Sequence, residues 1–147
     1  MYRLVAANNV ENIWHEIAPW IIQAMRIDEE EVKSCAMDLE AIKLKAKQGV
    51  MQIWLGEKPD KKDIDMVLVT ESLLLANEMT LVVRWASGLG VIEDMLPDFG
   101  LLENWAKTNG YHEIQIWGRK GWEKLFRPLG YKHDFTVISR VIDRGIH

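Results

Sequence analysis

The sequence predicts an α/β chain of the α+β kind, with elements in the order β-α-α-β-β-β-α-β-α-β. Three observations predict it. Before Val50 the apolar residues recur at three-to-four spacing, as on one helix face, and from Val50 they change to the short apolar runs of strands. Capping residues and glycines stand where the pattern changes, at Asn8-Asn9, Asp28, Gly49, Gly110 and Gly130. The 147 residues are 48% hydrophobic, enough to fill a core without metals or disulfides, so a single domain over 1–147 is expected.

Tyr2 to Ala6 reads as a short first strand. Asn8-Asn9 then cap a helix from about Val10 to Arg26, with Ile13, Ile17, Trp20, Ile21 and Ala24 on one face and Pro19 expected to kink or divide it. Asp28 opens a second helix whose start is rich in Glu29, Glu30 and Glu31 and whose end carries Lys43, Lys45 and Lys47. That order complements the helix dipole, and Gly49 is the stop. Val50 to Leu55, Ile64 to Thr70 and Met79 to Ala86 read as a three-stranded meander. The connection Leu73 to Asn77 is apolar for a loop, so it packs within the domain or against another copy, which leaves a homo-oligomer open.

After Ser87-Gly88-Leu89-Gly90 comes a helix with Pro97 in its first turn, a buried face of Leu101, Leu102, Trp105 and Ala106, and an end at Asn109-Gly110. Glu113 to Trp117 is a strand, and Arg119 to Arg127 is a short helix stopped by Pro128 and Gly130. Tyr131 to Ile142 completes the set as a final strand.

Composition excludes several classes of function. Eighteen basic and twenty-two acidic side chains give a net charge of −4 with no basic stripe, which argues against nucleic acid as a partner. Cys35 cannot pair within the chain, and His15, His112, His133 and His147 lack ligand spacing, so neither a disulfide nor a metal site is expected. The apolar stretch Met66 to Val91 is interrupted by Glu71, Glu78 and Arg84, so no membrane span is expected. The N-terminus lacks the apolar region of a secretory signal, and the expected location is cytoplasmic.

Leu102-Glu103-Asn104-Trp105-Ala106-Lys107-Thr108-Asn109-Gly110-Tyr111 and the strand Ile114 to Trp117 look like the third helix, glycine stop and fifth strand of the GNAT (N-acetyltransferase) superfamily, which the C-terminal half resembles. Gly118-Arg119-Lys120-Gly121-Trp122 leading to Leu129-Gly130-Tyr131 looks like its fourth helix and the entry to its last strands. With Thr70-Glu71 at a strand end, this form is similar to a divergent GNAT-like group of tailed-phage genomes. The resemblance implies a mixed central sheet of about six strands flanked by about four helices, acetyl-CoA as cofactor, and a host-cytoplasmic or virion location.

Departures from the family bear on the chemistry. The family holds the cofactor pyrophosphate on an R/Q-x-x-G-x-G/A loop at a helix N-terminus. Counting back from Gly110, that loop falls on Gly90 to Met95, which puts Glu93 and Met95 at the glycine positions and Asp94 between them. A shifted loop would use Ser87, Gly88 and Gly90, whose plain alternative is an ordinary turn. Where the family places a tyrosine as general acid, the count gives Phe126, and the early asparagine position of that helix holds Arg119.

Glu71 is the candidate general base, with a solvated strand-end carboxylate as its alternative. Arg119 could bind an anion or pair with Glu71 or Glu93. If the chain is active, it is an acyl-CoA-dependent N-acetyltransferase of a small-molecule amine, with backbone amides of Leu81 to Val83 polarising the thioester. The lost glycines, the acidic loop and Phe126 favour instead a non-catalytic or weakly active module that binds a virion or host protein. A small-ligand binder using the cleft between the fourth and fifth strands is a third reading.

Overall fold

The computed structural model describes residues 2–25, 36–57, 64–88, 98–118 and 122–136, together with 138, 140 and 142. Its strands are β1 (Tyr2–Leu4), β2 (Met51–Glu57), β3 (Ile64–Leu75), β4 (Glu78–Gly88) and β5 (Glu113–Ile116). Its helices are α1 (Val10–Met25), α2 (Ala36–Lys47), α3 (Phe99–Thr108) and α4 (Trp122–Phe126). The strands form one mixed sheet in sequence order, antiparallel from β1 to β4 and parallel between β4 and β5.

Both faces of the sheet are covered. The side chains of Met51, Ile53 and Leu55 on β2 and of Val67 and Val69 on β3 point to one face, where they pack on Ile17 and Ile21 of α1 and Ile42 and Ala46 of α2. Trp54, Leu68, Leu81 and Val83 point to the other and pack on Phe99, Leu102 and Ala106 of α3 and Phe126 of α4. The alternation along β2 and β3 assigns neighbours to opposite cores. It also explains why β2 to β4 read as nearly continuous apolar runs.

The structure corrects the sequence reading at several points. Pro19 lies inside α1, which runs through it undivided. The carbonyl that loses its partner is that of His15, and both residues are exposed, so water can satisfy it. The sheet has five strands among the described residues, not six. The expected final strand is absent from the described part of 131–142, where Phe135, Ile138 and Ile142 are exposed. The Asp28 cap, Glu29 to Glu31 and Pro97 lie outside the described residues.

The largest correction concerns the apolar connection after Thr70. Leu73 to Leu75 belong to β3, which pairs with β4 down to Leu75 opposite Glu78, so the turn is only Ala76-Asn77. Both turn residues have positive φ, 50° and 67°, as a two-residue hairpin of primed type requires. Alanine in the left-handed region costs about 1 kcal/mol, and the asparagine-glycine signature of such a turn is missing, so the sequence conceals it. Ala76→Gly is expected to stabilise the protein by about 0.5–1 kcal/mol. A chemical-denaturation curve should show a higher midpoint with unchanged slope.

Candidate functional site

The irregularity on which the site is built lies in β4. Val83 pairs with Thr70 of β3 while Trp85 pairs with Val69, which leaves Arg84 as the extra residue of a β-bulge. On its other edge β4 is joined to β5 from Thr80 to Val83, with Glu113 to Ile116 as partners, and the Trp117 N–H donates to the Val83 carbonyl at 3.0 Å. Beyond that bond, Trp85 to Gly88 pair only with β3 among the described residues. The bulge and the parting of the two strands therefore coincide.

Glu71 lies opposite Val82 in the middle of the lengthened β3, 3% exposed, on the face covered by α1 and α2. It is neither a strand end nor solvated. Its Oε2 accepts from Lys45 Nζ of α2 at 3.1 Å, and its Oε1 accepts from Arg84 Nη1. The Arg84 guanidinium lies 4.6 Å from the ring centroid of Trp85 and 4.9 Å from that of Trp117. Indole faces attract a cation, and the attraction grows as water is excluded. Two cations on one carboxylate leave the cluster with a surplus positive charge.

At the end of β4, Ser87 is 4% exposed and its Oγ has no hydrogen-bond partner among the described residues. Gly88 closes the strand opposite Met66. Of the other sequence candidates, Gly90 and Arg119 lie outside the described residues, as do Glu93, Asp94 and Met95. Among the described residues the ion partners of Glu71 are Arg84 and Lys45. Gly118 has a packing reason: a Cβ there would stand 2.1 Å from Trp122 Cε3, so only glycine lets that indole seat.

The described residues contain no helix long and apolar enough to cross a membrane. They contain no cluster of three or more His, Cys, Asp or Glu side chains that could hold a metal ion. No protein-family model matches the chain, and no curated protein sequence does. Solved structures do. A GCN5-related N-acetyltransferase from Ralstonia eutropha JMP134 superposes with a TM-score of 0.69 at 10% identity, covering 97% of each chain. A predicted acetyltransferase from Clostridium acetobutylicum, solved with acetyl-CoA, gives 0.66 at 12% identity over 96% of this chain and 95% of that one. The ribosomal-protein-alanine N-acetyltransferase from Brucella melitensis biovar Abortus 2308 gives 0.59 at 11% identity, over 97% and 99%.

The chain has the GNAT fold. Identities this low carry the likeness of fold alone, so the chemistry has to be read from the side chains. At the position where the resemblance calls for a tyrosine acid, Phe126 is 3% exposed. Its ring meets Phe99 edge-on at 5.1 Å and Tyr131 at 5.6 Å. It is a core residue of the layer beneath α3. The phenol at Tyr131 is half-buried, and burial, reinforced by the Glu103 carboxylate, pushes its pKa well above the ordinary tyrosine range.

A raised folded-state value makes the neutral phenol the favoured form. Its contribution to stability is complete below the unfolded value of about 10 and is lost as pH rises through the folded one. Tyr131 is therefore expected to ionise late in an alkaline titration followed by phenolate absorbance. Tyr131→Phe should remove that late component.

Proposed function

We propose that the chain is a GNAT-fold binding module with little or no acetyl-transfer activity, whose partner is a protein of a phage virion or of the host. The observation that carries this reading is the occupation of Glu71. A general base needs an oxygen ready to take a proton from the attacking amine, and here each carboxylate oxygen already accepts a charge-assisted bond, one from Lys45 and one from Arg84. Taking a proton would mean giving up an ion pair on a buried group. Phe126 supports the same reading, because it has no proton to deliver to a leaving thiolate. The exposed apolar side chains of Leu74 and Met79 on the β3–β4 hairpin, 65% and 39% exposed, provide a surface for a protein partner. The phage-type resemblance of the Gly118 to Trp122 segment supports the virion or host setting.

A second reading is an acyl-CoA-dependent N-acetyltransferase of a small amine. It draws on the parting of β4 from β5 after Val83 and on the buried Ser87 hydroxyl, which has no partner among the described residues. In that reading Ser87 and Gly88 hold acetyl-CoA, which supplies the acyl group. The Leu81 to Val83 backbone amides then polarise the thioester.

Calorimetry with acetyl-CoA, paired with an assay of thiol release in the presence of small amines, separates the two. The binding-module reading expects no saturable heat and no thiol release above background from folded protein. Saturable binding that is lost in Gly88→Asp, with turnover that is lost in Glu71→Gln, would establish the transferase instead.

A further inference from the structure

A second polar system lies on the opposite face of the sheet from Glu71, and its hydrogen positions can be deduced. The indole Nε1 of Trp54 can only donate, and it donates to Thr70 Oγ1 at 3.0 Å. Thr70 passes its own proton to Gln52 Oε1 at 2.7 Å. The Gln52 amide nitrogen donates to the Gly49 carbonyl at 2.8 Å and to Ser72 Oγ at 3.0 Å. A carbonyl can only accept and an indole N–H can only donate, so the two ends of the chain fix the orientation of the amide between them.

Ser72 Oγ is in turn hydrogen-bonded to Tyr111 OH. That last pair holds two hydroxyl protons and uses one in the bond, so one is left over. If Tyr111 donates, the spare proton stays on Ser72, whose oxygen already accepts from Gln52. If Ser72 donates, the spare proton is on Tyr111. Tyr111 and Gln52, with Trp105, line a cleft of about 320 Å³ whose remaining wall includes Ala6, Ala7 and Met51, whereas Ser72 does not line it. Only the second arrangement lets the spare proton reach an acceptor in that cleft. Both hydroxyls are half-buried, and of the two only Tyr111 faces the cleft, so the second arrangement is the one that offers the cleft a donor.

We propose that this cleft, on the β1–β2 side of the sheet and away from the parting of β4 and β5, binds a small uncharged molecule with an apolar body and an acceptor oxygen such as a ketone. The body would lie against Trp105, Ala6, Ala7 and Met51, and the oxygen would accept from Tyr111. The site is independent of whether the chain transfers acetyl groups, since none of the residues discussed above for that chemistry lines it.

Indole N–H resonances of the full chain provide the test, with cyclohexanone as acceptor probe and cyclohexylammonium, a donor of the same size, as control. Cyclohexanone should shift the Trp105 resonance saturably, and through the relay that of Trp54, while cyclohexylammonium should shift neither. Tyr111→Phe should weaken cyclohexanone binding tenfold or more, about the worth of one hydrogen bond. Ala7→Phe, which fills the cleft from its exposed rim without touching the relay, should abolish binding. Equal responses to the two probes, no saturable shift, or unchanged affinity in folded Tyr111→Phe or Ala7→Phe would overturn the proposal.

Discussion

A carboxylate buried at the centre of a sheet has to be neutralised from its own face, and much of this structure is arranged around that requirement. Glu71 is 3% exposed, and taking its charge out of water costs several kcal/mol unless partners replace the lost hydration. One partner comes from the last turn of α2, whose position is set by the packing of Ile42 and Ala46 on β2 and β3. The other comes from the bulge of β4. Alternation from Val82, the register partner of Glu71, puts Arg84 on the face Glu71 occupies, and the extra residue brings Trp85 to that same face beside the guanidinium. The bulge lies where the pairing with β5 ends, so the cation that compensates Glu71 sits at the parting of the two strands.

The two faces of the sheet are consequently unlike. On the α1–α2 face an ion cluster capped by the indoles of Trp85 and Trp117 sits beside an aliphatic core. On the α3–α4 face the core is aromatic, and its polar atoms are joined in one relay from Trp54 to Tyr111. Trp54 and Tyr111 both touch Trp105, edge-on at 5.2 Å and stacked at 5.5 Å, so the ends of the relay are tied to α3 by ring contacts. A connected hydrogen-bond network favours a single arrangement of the side chains around it.

How much of this was legible in the sequence depended on the range over which each feature is determined. The apolar faces of α1 and α3, apart from Leu101, which is exposed, the basic end of α2 and the glycine stops at Gly49 and Gly110 are local patterns, and they were readable. The hairpin was not, because its turn uses Ala76 where a glycine would have announced it. Ending β3 at Thr70 then made Glu71 look like a strand end. Arg84 and Lys45 were visible only as a charge inside an apolar run and as a helix-end cation, since their pairing with Glu71 spans 13 and 26 residues. A lone arginine in a strand otherwise buried on both faces was the available signal, because such a charge requires a buried partner. Phe126 as a missing acid was legible from the family resemblance, but its place between Phe99 and Tyr131 required the tertiary structure.

The coupling between Glu71 and Arg84 holds the centre of the sheet, and a double-mutant cycle measures it directly. Stability would be determined for the wild type, Glu71→Gln, Arg84→Gln and the double variant. A coupling of about 1–3 kcal/mol is expected, with the double variant more stable than the sum of the single losses implies. Additivity within about 0.5 kcal/mol would show that the two side chains do not depend on each other, and would contradict the account.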